Sequence, residues 1–208
     1  MLSHLYYQTG SQVDVKLAAR RAYEEDAYLS NADVVLSRLF FASYDLGQLP
    51  DALHWCQEGQ RRFPSNPKFA ECRLWLLTTK ATDPDVTKAW QLTDTLVNTA
   101  AAQDKEYQRL NAQILVAGVL ARAGLADSAR HLLARSRGRP EIDPTRDLLY
   151  TEAIVRTMLG DKSDAVKALK SYLAINPEKR SALAEDPGWL FRPLQNDAEF
   201  QKVVGSQQ

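Results

Sequence analysis

The sequence predicts an all-α protein of antiparallel helix pairs closed by a C-terminal capping segment. Three observations carry this expectation. A Gly is followed five residues later by an Ala at three places: Gly47 and Ala52, Gly124 and Ala129, Gly160 and Ala165. On both sides of each Gly, apolar residues recur at three-and-four spacing, the period of a helix with one buried face, and no window alternates as a strand does. The ending, "EDPGWLFRPLQNDAEF", then concentrates aromatic and apolar residues where an array would need a cover.

The elements follow in order. "LYYQTG" reads as the end of a first helix and "VDVKLAARRAYEEDAYL" as its partner, making a partial first unit over 1–30. Only a few residues precede Leu5, so the repeat phase predicts a helix that begins upstream in a longer protein. The next unit, 33–66, has a first helix in "VVLSRLFFASYDL", a turn at Gly47 and a second helix ending before Pro64. Gly supplies the left-handed conformation that ends the first helix, and the small Ala lets the two helices approach closely. Residues 67–103 form a less regular unit: the turn "ATDPD" carries an insertion, and Ala89 falls three residues late. The unit 104–143 opens with a helix from near Asp104 that is expected to exceed five turns, and the unit 146–179 turns at Gly160. Residues 181–208 are the cap, with Trp189, Leu190, Phe191, Leu194 and Phe200 covering the last apolar face. Asn66-Pro67, Asp83-Pro84, Asp143-Pro144 and Asp186-Pro187 read as helix starts, with Asn or Asp as the cap and Pro in the first turn.

Composition bounds the function. Lysine plus arginine equals aspartate plus glutamate at 26 each, so net charge gives no reason to expect nucleic acid or an anionic membrane. The longest apolar run, "ILVAGVLA" from Ile114 to Ala121, is too short to span a bilayer, and the N-terminus lacks the pattern of a signal peptide. The two cysteines, Cys56 and Cys72, make no disulfide framework; they read as small buried hydrophobes in a reducing, cytoplasmic setting. An upstream transmembrane helix would place the same domain outside the cytoplasm.

The 34-residue unit with Gly at position 15, Ala at 20 and Pro at 32 resembles the tetratricopeptide repeat (TPR). It departs from that pattern at position 8, which is Phe40, and at position 27, which is Gly59, Ser136 and Tyr172. The resemblance implies a right-handed superhelical solenoid whose first helices line a concave face. The ending is similar to tails that close bacterial TPR segments found beside serine/threonine protein kinases and signalling regulators. It implies either a scaffold that binds a peptide or protein segment in its groove, or a regulatory tail that docks on an attached enzyme or self-associates. Carried onto this chain, the groove positions put forward Phe41, Tyr44, Trp75, Thr78, Asn111, Tyr150 and Ile154 as binding candidates.

Catalytic and metal chemistry find little footing in the residues. There is no Gly-x-Ser-x-Gly, P-loop, His-Glu-x-x-His or kinase signature. His54, Cys56 and Cys72 lack zinc spacing and a fourth ligand, so neither metal nor cofactor is expected. His54 and His131 read as exposed helix residues. The arginines of "RSRGRP" and Arg61-Arg62 read as favourable charge at helix C-termini. The groove positions equivalent to those with which chaperone-binding TPR domains grip a terminal carboxylate are Ser37, Phe41, Cys72, Asn111 and Leu115, none of them cationic. Binding of acidic C-terminal peptides is therefore not expected.

Overall fold

The computed structural model describes residues 12–25 and 31–205. Among them are twelve α-helices and no strand. The chain divides into two compact units, Met1–Asp83 and Pro84–Gln208. The division falls in the inserted turn of the expected 67–103 unit. The first helix expected at "LYYQTG" lies outside the described residues.

The first unit holds α1 (Gln12–Glu25), α2 (Ala32–Asp45), α3 (Leu49–Arg62) and α4 (Pro67–Leu77). Helix α2 is central and packs on each of the other three. Its Leu36, Leu39 and Phe40 are fully buried, and α1 contributes Val15 and Ala19. Phe40 is thus a core residue. Lys16 of α1 pairs with Asp51 of α3 at 2.6 Å.

The second unit holds α5 (Val86–Thr99), α6 (Lys105–Arg122), α7 (Ala126–Arg135), α8 (Asp147–Leu159), α9 (Lys162–Ile175), α10 (Arg180–Glu185), α11 (Gly188–Phe191) and α12 (Ala198–Gly205). Helix α6 runs 18 residues, five turns, and packs on α5, α7 and α8. That explains the run from Ile114 to Leu120, every residue of which is buried: a helix covered on several sides is apolar all round. Helix α8 packs on α9, α11 on α8, and α12 on α9 and α10.

The turn chemistry follows the sequence closely. Gly47, Gly124 and Gly160 all have left-handed φ, at 69°, 79° and 76°. In each case the next residue's N–H reaches back to close the helix: Gln48 to the Ser43 carbonyl, Leu125 to Leu120 and Asp161 to Arg156, all at 2.9 Å. Ala52, Ala129 and Ala165 are each 0% exposed, as close helix approach requires. Asn66 caps α4 by accepting the Lys68 N–H at 3.1 Å, with Pro67 in the first turn.

Two Asp-Pro pairs act differently from a simple cap. Helix α5 starts after Asp85, not Asp83, and the Asp85 carboxylate accepts the Lys88 N–H at 2.8 Å. Asp143 does serve α8, but from a distance: its carboxylate accepts the N–H groups of Asp147 and Leu148 at 2.9 and 3.1 Å. The chain between them passes through Arg146 at φ 62°, a left-handed residue that the sequence does not announce.

The cysteine expectation is corrected. Cys56 of α3 and Cys72 of α4 are disulfide-bonded, with Cα atoms 5.9 Å apart. The turn between α3 and α4 folds the two helices together and brings the two side chains face to face in the core. The pairing also removes the cysteine argument for a reducing compartment. Among the described residues, no helix is long and apolar enough to cross a membrane.

Candidate functional site

The first unit gathers four of the seven groove candidates. Phe41 and Tyr44 lie on α2, Trp75 on α4, and Thr78 just beyond its end. The Tyr44 and Trp75 rings meet edge to face with centroids 5.3 Å apart, and Phe41 stacks edge-on against the core ring of Phe40 at 4.8 Å. The Tyr44 hydroxyl and the Thr78 hydroxyl lie 3.4 Å apart, and the Thr78 hydroxyl donates to the Trp75 carbonyl at 2.7 Å. Tyr44 is 2% and Thr78 5% exposed, so these two support the cluster from behind. Phe41 and Trp75 keep partly open faces. Burial pushes the Tyr44 phenol pKa up, so it stays a neutral hydrogen-bonding group.

Two carboxyl groups lie beside this cluster in the chain. Glu71 is one turn before Trp75 on α4, and Asp45 follows Tyr44 with its surface exposed. Burial pushes the Glu71 carboxyl up, and the nearby Trp75 indole draws it partly back, although the two do not reach full hydrogen-bond geometry. An aromatic surface of partly open rings suits an apolar or aromatic ligand side chain.

The other three candidates lie in the second unit and do not form a matching surface. Asn111 of α6 is 7% and Ile154 of α8 is 2% exposed. Tyr150 of α8 is half-buried, with its ring against Tyr172 at 5.1 Å and Phe191 at 5.4 Å. It therefore joins the last helix pair to the capping segment.

The remaining motifs settle into structural places. His54 and His131 are exposed. Cys56 and Cys72, bonded to each other, offer no thiolate to a metal. Arg61 pairs with Glu58 at 2.8 Å in the last turn of α3, and Arg62 donates to the Tyr23 hydroxyl at 3.2 Å. Arg135, Arg137 and Arg139 are exposed around the end of α7.

One buried pair escaped sequence reasoning. Arg156 and Glu152, one turn apart on α8, are joined at 2.7 Å with side chains only 9% and 5% exposed. Asp164 of α9 approaches Arg156 at 3.4 Å. The signal was an acid and an arginine four residues apart inside the otherwise apolar "LLYTEAIVRTML". Comparison with protein-family models, curated proteins and solved structures returns no match.

Proposed function

We propose that this chain is a non-catalytic, TPR-like interaction module that binds a peptide or protein segment, and that the aromatic face of α2 and α4 is where it binds. The observation that carries this reading is a chain of ring contacts, Phe41 on Phe40, Phe40 on Tyr44 and Tyr44 on Trp75, in which Phe41 and Trp75 are partly open and Tyr44 and Thr78 are buried. Aromatic anchors on a rigid element lose little conformational entropy on binding and supply most of an interface's energy. In this reading the helix pairs form a superhelical solenoid, and the α2–α4 face belongs to its concave side.

The test is peptide selection from a random display library on the parent protein, followed by titration of the selected peptides. Selected sequences should carry apolar or aromatic anchors, and Phe41→Ala or Trp75→Ala should weaken them tenfold or more. Circular dichroism melts of both variants verify the fold. Peptides that bind the variants as well as the parent would remove this face from consideration. Micromolar, carboxylate-dependent binding of an acidic C-terminal peptide would contradict the proposed ligand chemistry.

A further inference from the structure

A second surface, within the Pro84–Gln208 unit, has the opposite electrical character. A cleft of about 600 Å³ opens between α9, the start of α10 and α12. That volume falls in the range of small-molecule sites. Five cations line it: Lys162, Lys167 and Lys170 from α9, Arg180 from α10 and Lys202 from α12. Two carboxylates, Asp197 and Glu199, oppose them. Asp197 is already engaged: its carboxylate accepts the N–H groups of Glu199 and Phe200, both at 3.0 Å, and so caps α12. Val166 and Val203 supply an apolar patch between the charges.

Two of these cations carry the argument. Lys162 and Lys170 are exposed, and among the described residues neither lies within ion-pairing distance of a carboxylate, whereas their neighbour Lys167 pairs with Asp164 at 3.0 Å. Lys162, Val166 and Lys170 are spaced four residues apart, so they form one stripe on α9 with the ammonium stems about 12 Å apart along the axis. Two exposed ammonium groups, Lys162 and Lys170, match the two negative charges of a phosphate dianion better than the one of a single carboxylate. Val166 between the lysines and Val203 on α12 favour an apolar body attached to it.

We propose that the α9–α10–α12 cleft binds a phosphomonoester with an apolar body, held by Lys162 and Lys170 across Val166. The site is independent of the aromatic face in the first unit, so either reading can fail alone.

Titration calorimetry of the full chain with phenyl phosphate and with benzoate tests it. Phenyl phosphate should bind saturably at one site, at least tenfold tighter than benzoate, and weaken as salt is raised. The double variant Lys162→Gln, Lys170→Gln should lower phenyl phosphate affinity tenfold or more while melting like the parent. Lys105→Gln, an exposed lysine on α6, should leave it unchanged. A phosphotyrosine peptide that binds tighter than phenyl phosphate would assign the ligand to a modified protein segment. Equal affinity would assign it to a small molecule, and both results support the site. Equal weak binding of phenyl phosphate and benzoate, or phenyl phosphate affinity untouched by the double variant, would overturn it.

Discussion

Gly59 sits in the last turns of α3 at a position that two opposing effects can decide. Alanine is a better helix former than glycine by about 1 kcal/mol. Yet a Cβ built on Gly59 would lie 1.9 Å from Cε1 of Phe69. Phe69 is fully buried and stacked on Phe63 at 6.0 Å, so it has nowhere to retreat. Overpacking of that kind costs about 1–3 kcal/mol and outweighs the gain in propensity. Gly59→Ala should therefore lower the urea midpoint, and should cost less in a Phe69→Leu background, where the contact is absent. A midpoint at or above the parent's would show that the ring moves freely. The sequence marks Gly59 only as a departure at position 27. The reason for it, the Phe69 ring that occupies the space of a Cβ at Gly59, belongs to the neighbouring helix and is invisible to spacing. By contrast Gly47, Gly124 and Gly160 were legible because their requirement is local: a positive φ at the end of a helix.

At the scale of elements, the first unit is tied across its helices by one covalent bond and several polar ones. The Cys56–Cys72 bond joins α3 to α4 across a separation of 16 residues. Closing a loop of this length is worth about 3 kcal/mol through the unfolded chain. Reduction, or Cys56→Ala with Cys72→Ala, should lower the urea midpoint accordingly. The denatured, unreduced protein should show no titratable thiol; two free thiols would dismiss the bond. Periodicity places both cysteines in the core, but only the turn that folds α4 against α3 sets them opposite each other. The polar ties carry a pH dependence. Asp33 of α2 accepts from Lys68 at 2.5 Å and Asn66 at 3.0 Å; burial raises its pKa, but these partners outweigh burial and hold it low. Glu58 of α3 is held low by its Arg61 hydrogen bond, against burial and with help from Tyr23 of α1. A carboxylate with a depressed folded pKa contributes stability that is present above its unfolded pKa and lost as pH falls through the folded one. Stability should thus decline as pH drops through the ordinary values of 3.8 and 4.5 and below. Asp33→Asn should flatten part of that decline; midpoints for parent and variant that fall in parallel would detach Asp33 from it.

For the whole molecule, the capping segment decides whether the second unit can stand in water. Of the residues expected to form the cap, Phe191 and Leu194 are 0% exposed and Phe200 is 1%, while Trp189 and Leu190 are only partly covered. The sequence identified the segment because its composition is unusual for an ending. It did not divide the labour within it, because which aromatic faces inward depends on the short turns around Pro187 and Pro193. Phe191 reaches the Tyr150 ring of α8, and α12 carries Phe200 and Val204 beside α9 and α10. Burying one such aromatic side chain contributes about 2–3 kcal/mol, so the segment supplies a large part of a domain's net stability. A chain ending at Asn176 would expose the apolar side of α8 and α9 that these residues cover. The complete chain carries no net charge and has a pI near 6.8, so electrostatic repulsion would not keep such a surface from self-association near neutral pH. Truncation after Asn176 should therefore give a protein that melts well below the parent and elutes as aggregate on size exclusion at pH 7. The single variant Phe191→Ala should lose about 3–5 kcal/mol while remaining largely monomeric. A truncated chain that stays monomeric with an unchanged melting midpoint would show that α8 and α9 are stable without cover.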